Sequence, residues 1–121
     1  MAYDPNNVFA RILRGEIPCT KVHETEHALA FHDIHPQAPV HVLVIPKGAW
    51  VSWADFARDA PPEAVVGFVR AVGETASLLG LEADGYRLLA NVGRIAGQEV
   101  PHLHVHLFAG RPLGPMLAKA G

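Results

Sequence analysis

The run His102-Leu103-His104-Val105-His106-Leu107 constrains the fold more than any other part of this chain. Strict alternation of imidazole and aliphatic side chains suits a strand, in which alternate side chains share a face. The pattern predicts a last strand near Leu103 to Phe108, with Leu103, Val105 and Leu107 in a core. The three imidazoles then line the opposite surface, an arrangement that is costly unless they are solvated, hydrogen-bonded or used.

Spacing alone leaves two uses open. Imidazole is a common ligand for zinc and other transition metals. The outer two histidines of the row would sit ~6.5 Å apart from strand rise alone, so a closed metal site would need a further ligand such as His41 or Glu99. The alternative is nucleophilic catalysis by a neutral imidazole whose second nitrogen is fixed by a hydrogen bond. That chemistry needs amides or cations where charge develops, and the run from Gly93 to Gln98 is placed to supply amides and a carboxamide. The chain has a single cysteine, Cys19, so neither a disulfide nor a cysteine zinc site competes for the role. Cys19 reads as a small packed hydrophobe.

Around the histidine run the chain reads as α-β-β-β-α-β-β. Asn6 or Asn7 caps a short helix from Val8 to Arg14, closed by Gly15. Strands are expected at Lys21 to Glu24, Ala28 to Asp33, Val40 to Ile45 and Tyr86 to Val92. Pro36 and Pro39 make the stretch between the second and third strands a fixed, extended connection. A helical turn can follow Ser52. The long helix starts at Pro61-Pro62-Glu63 and repeats Val65, Val69, Val72, Ala76 and Leu79 at helical spacing. The expected class is α+β: a mostly antiparallel five-stranded sheet with one short N-terminal helix and one long helix, in a single domain over residues 1–121.

Composition narrows the function classes. A formal net charge of −2 offers no basic footprint for nucleic acid. No apolar run approaches the ~20 residues of a membrane span, and Met-Ala-Tyr-Asp-Pro lacks the features of a signal peptide, so a cytoplasmic location is expected.

The segment Gly97-Gln98-Glu99-Val100-Pro101-His102-Leu103-His104-Val105-His106-Leu107 resembles the signature of the histidine triad (HIT) family. Phe31 to Lys47, with His32-Asp33-Ile34-His35-Pro36 and the strand Val40 to Ile45, resembles that family's strand-loop-strand at the nucleoside pocket. Val8-Phe9 to Ile17-Pro18 resembles its N-terminal helix, and the tail from Gly110 to Leu117 is similar to the bacterial nucleotide-binding branch. The resemblance covers essentially the whole chain in the right order.

What the resemblance implies is a purine nucleoside phosphoramidate hydrolase without a metal or other cofactor. His104 would attack the α-phosphorus to form a nucleotidyl-histidine that water then hydrolyses. His106 would contact phosphate and assist the leaving group, His102 would orient His104, and His41 would complete the cluster. Gln98, Asn91 and Gly97 would make phosphate or ribose contacts, and Asp33 would take the ribose. Phe9, Ile12, Phe31, Ile34 and Leu43 would form the cleft for the base. Glu99 stands near the leaving group, where it would accept from an amine or repel an acid. Pro101 stands where an aromatic residue is common, and it stiffens the entry to the strand. A homodimer is implied as well. The same triad serves dinucleoside polyphosphate hydrolases, and a nucleotide-binding or interaction module with little catalysis is a further alternative. His23, His27, His32 and His35 are expected to be surface or satisfied histidines, with His32 bordering the pocket, and Arg94 a solvated loop residue on the phosphate side, with substrate contact the lesser alternative.

Overall fold

The computed structural model describes residues 2–118. Five strands form one sheet in the order β1-β2-β3-β5-β4: β1 (Lys21–Glu24), β2 (Ala28–His32), β3 (Val40–Pro46), β4 (Arg87–Leu89) and β5 (Val105–Ala109). Every neighbouring pair is antiparallel. The long helix α3 (Pro62–Leu78) covers one face, and the short α1 (Val8–Leu13) covers part of the other.

The two faces follow from strand parity. Ala28, Ala30, Val42, Val44, Val105 and Leu107 point toward Phe68, Ala71, Val72 and Ala76 of α3 and form the larger core. Leu29, Phe31, Leu43 and Ile45 point the other way, against Phe9 of α1, with Ile12, Leu13 and Cys19 at the margin. This explains the continuous apolar run of β3, which is buried on both faces from His41 to Pro46. Asn7 caps α1 by accepting from the Ala10 amide at 2.9 Å. On the opposite face, Gly67 lets the ring of His27 lie directly on α3, where any Cβ would collide with it.

Four expectations need correction. The turn after Ser52 is a full helix, α2 (Trp53–Asp59), because Ser52 and Asp55 form a reciprocal capping box. The loop after Val92 contains one short helix, α4 (Gly93–Ala96), closed by Gly97 at φ +85°, a backbone conformation that favours glycine. The last strand begins at Val105, not Leu103, so only His106 of the triad lies in the ladder. The reason is that the Leu103 amide donates to the Trp50 carbonyl at 2.9 Å, which draws the 102–104 segment toward the β3–α2 connection. That same departure removes the pairing partner for residues after Leu89, so β4 covers only Arg87–Leu89 of the expected Tyr86–Val92. The small shifts at other element ends lie within ordinary fraying.

Candidate functional site

The α1 face of the sheet is where the chemistry gathers. Register places Phe31 opposite Leu43 and Leu43 opposite His106, one row across three strands. His41 lies opposite Phe108 in the adjacent row, and the Asp33 amide donates to the His41 carbonyl at 3.0 Å. His104, two residues before His106, packs edge-on against Phe9 of α1 with ring centroids 5.0 Å apart. A cleft of ≈ 380 Å³ opens here, within the range of small-molecule sites. Its wall includes Phe9, Ile12, Phe31, Asp33, Ile34 and Leu43 on one side, and Asn91, Gly97, Glu99, His104 and His106 on the other. A larger groove of ≈ 610 Å³ lies between α3 and β4, but its lining from Trp53 to Val105 includes no histidine or carboxylate.

Hydrogen bonds fix the proton positions on all four histidines. The His104 Nδ1 sits 2.7 Å from the His102 carbonyl, which can only accept, so Nδ1 carries the proton and Nε2 keeps its lone pair. His102 donates from Nε2 to the Pro46 carbonyl at 2.9 Å, which leaves its Nδ1 to accept from the Tyr3 hydroxyl at 2.6 Å. His41 Nδ1 accepts from the Gln37 amide at 3.1 Å. Its proton therefore sits on Nε2 and donates to His106 Nδ1 at 2.9 Å, which places the His106 proton on Nε2. His104 thus offers a lone pair in the cleft, and His106 offers an N–H beside it.

Burial keeps these rings neutral. Desolvation pushes His102 and His106 down to about 4, with the neighbouring imidazoles adding to the effect. It lowers His104 and His41 too, opposed at His104 by the His102 carbonyl and the charges of Asp33 and Glu99, and at His41 by Asp33. A neutral imidazole is the nucleophilic form.

Asp33, His41 and His106 each bring one possible metal-ligand atom within 4.8 Å of the others. In the tautomers found here His41 Nε2 carries a proton and His106 Nδ1 accepts it, so neither atom is free as a ligand. A cation would first have to displace that proton.

Gln98 and its loop are used differently from expectation. Its carboxamide donates to the Val51 and Val100 carbonyls and accepts from the Gly93 amide, and it is not part of the cleft wall. The Gly97 and Gln98 amides also bond within the loop. This segment is a brace that positions Gly97 and Glu99, and the Gly93, Gly97 and Gln98 amides and the Gln98 carboxamide are consumed in it. His41 and His102 lie buried behind the cleft wall. Arg94 is exposed and outside the cleft; His23, which meets Glu74 at 2.9 Å, and His27 are half-buried and also outside it. His32 and His35 are exposed, as expected, and both border the cleft. Sequence reasoning missed Tyr3 and Gln37. Both act through long-range or backbone contacts for which sequence periodicity carries no signal.

Comparison with known proteins agrees with this geometry. The HIT domain model matches residues 14–113. A 13.2 kDa HIT-like protein of Azospirillum brasilense is 67% identical over 117 residues, covering 97% of this chain and 96% of that protein. The purine nucleoside phosphoramidase of Escherichia coli is 42% identical over 114 residues, covering 94% and 95%. Among solved structures, a HIT family hydrolase from Legionella pneumophila superposes with a TM-score of 0.83 at 42% identity, covering 90% of this chain and 96% of that one. The histidine cluster, the α+β sheet that carries it and these similarities place the chain in the HIT domain family.

Proposed function

We propose that this protein hydrolyses the P–N bond of purine nucleoside 5′-phosphoramidates through a nucleotidyl-His104 intermediate. The observation that carries the reading is the His104 Nδ1–H bond to the His102 carbonyl, which directs an unprotonated Nε2 into the cleft. Phe9, Ile12, Phe31 and Leu43 offer an apolar, aromatic wall for a base, and Ile34 stands 85% exposed at the rim. Asp33 offers carboxylate oxygens for ribose hydroxyls. The phosphate then falls between Asn91, His104 and His106.

In the first step Nε2 of His104 bonds to phosphorus while the P–N bond breaks and its electron pair leaves with the amine. In the second, water attacks phosphorus and releases His104 with the nucleoside monophosphate. The printed activity of the Escherichia coli relative supports the substrate class. Among the described residues the cleft wall contains no lysine or arginine, and it includes Glu99, which disfavours the long anionic chain of a dinucleoside polyphosphate.

Acid-quenched intact-mass measurement with an adenosine phosphoramidate tests the mechanism. A nucleotidyl adduct is expected in the wild type, and His104→Ala should lose about three orders of magnitude of activity or more. Absence of any adduct together with an active His104→Ala variant would sink the proposal.

Pairing of two chains belongs to the same proposal. β4 is an edge strand, and beside it Trp53, Val69, Tyr86, Leu88 and Val92 form a half-exposed apolar face. Pairing two β4 edges would extend the sheet and cover that groove.

A further inference from the structure

Asp33 reaches further than a ribose. Its Oδ1 accepts the His35 amide at 2.8 Å, and its Oδ2 lies 3.4 Å from His41 Nε2. The same His41 Nε2 lies 2.9 Å from His106 Nδ1. One N–H therefore has an acceptor at hydrogen-bond distance in His106 and a carboxylate oxygen just beyond that distance in Asp33. The Gln37 amide holds His41 Nδ1 as an acceptor, so His41 cannot give its Nε2 proton away without becoming an anion. It can only redirect it.

That choice bears on the proton the leaving amine needs, a requirement that rests on the phosphoramidase reading above. A neutral His106 that gave up its Nε2–H would become imidazolate, so the competent acid is the imidazolium, with both nitrogens protonated. A proton on His106 Nδ1 would collide with the His41 N–H unless that N–H turned elsewhere. We propose that Asp33 is a positioning residue for the general acid: its Oδ2 receives the His41 N–H, which lets His106 hold a proton on Nδ1 while the nucleotide is bound.

The proton balance then closes. Imidazolium His106 passes its Nε2 proton to the amine as the P–N bond breaks and the electron pair goes to nitrogen. His106 is left neutral with its proton on Nδ1 and a lone pair on Nε2. Water attacking the nucleotidyl-His104 gives a proton to that lone pair, which restores the imidazolium. A carboxylate offers about four acceptor sites, enough for the His35 and His41 N–H groups and two ribose hydroxyls at once.

In the free protein the surroundings of His106 hold it neutral, so the imidazolium belongs to the nucleotide complex. His41 on β3 and His104 beside it oppose protonation, as does burial, while Asp33 favours it. Glu99, before β5, His32 at the end of β2 and His35 from the β2–β3 connection also face the cleft. A bound phosphate would add negative charge directly at the ring and favour the imidazolium further.

The test uses Asp33→Asn with two substrates on a 2′,3′-dideoxyadenosine, which has no hydroxyl for residue 33. One is a 5′-phosphoramidate with an alkylamine leaving group. The other is the 5′-(4-nitrophenyl) phosphate, whose phenolate departs without a proton. Loss of acid support predicts that the ratio of adduct-formation rates, amine substrate over aryl ester, read before the first turnover is complete, falls by about 10-fold or more in the variant. Equal losses on both, or no loss on either, would overturn the proposal. Failure of the phosphoramidase reading looks different: wild type would turn over neither substrate and form no adduct. Should the variant fold poorly, histidine ¹⁵N spectra of the wild type with bound AMP decide the matter. A doubly protonated His106 near neutral pH is expected, and a neutral one refutes the inference.

Discussion

Lowering the pH from about 7.5 to about 5 should destabilise this protein before its carboxylates begin to titrate. His102 is fully buried, with its ring held between the Tyr3 hydroxyl and the Pro46 carbonyl. Burial pushes it down to about 4, against ~6.5 in an unfolded chain. Because the folded value is the lower one, the unfolded chain takes up its proton first as the pH falls. Stability is complete above ~6.5, declines through the interval, and the loss is full below about 4. At about pH 5 the two values give a loss of roughly 2 kcal/mol from His102 alone, a large share of a typical domain's 5–15 kcal/mol. His41, His104 and His106 are displaced in the same direction and add to it. Glu16, Glu24 and Asp55 lie below their ordinary values, so their losses come at lower pH and do not obscure the effect. Urea unfolding at the two pH values is the assay, and a midpoint lower by about 1 M or more at the acid end is the expected result. A stability that stays flat to within about 0.5 kcal/mol, or a His102 ring titrating near its unfolded value by NMR, would refute the reasoning.

Three further outcomes follow from single contacts. Tyr3→Phe strands the His102 Nδ1 without its donor in a fully buried ring, and should cost about 1–3 kcal/mol in urea unfolding. Glu99→Gln should shift relative turnover away from cationic amines and toward acidic ones by about 2- to 5-fold at low salt, since the carboxylate is exposed and its field is screened. An unchanged ranking of leaving groups would remove Glu99 from the site. Leu88→Lys on the β4 edge should convert a dimer to a monomer in light scattering, and a wild type that is monomeric at micromolar concentration would end the pairing proposal.

The alternating histidines and the apolar third strand carried most of the architecture, because strand parity is written residue by residue. Helix caps were nearly as legible: Asn7 and Ser52 each do locally what their type does best. The failures are equally specific. Nothing local says that the Leu103 amide will prefer the Trp50 carbonyl to a ladder partner, which is why β5 starts late and β4 is short. Gln98 has the right chemistry for phosphate, yet three loop contacts claim its carboxamide first.

Sequence alone determined which side chains share a face, because that depends only on a two-residue period. It thus set His104 and His106 side by side and gathered Phe31 and Asp33 on one strand face. Tertiary structure decided the protons. Which nitrogen of each imidazole is free depends on what its other nitrogen meets, and those partners, Tyr3, Gln37, Pro46 and the His102 carbonyl, are brought in by the fold. The row of imidazoles was in the sequence; the direction in which each one donates came from packing.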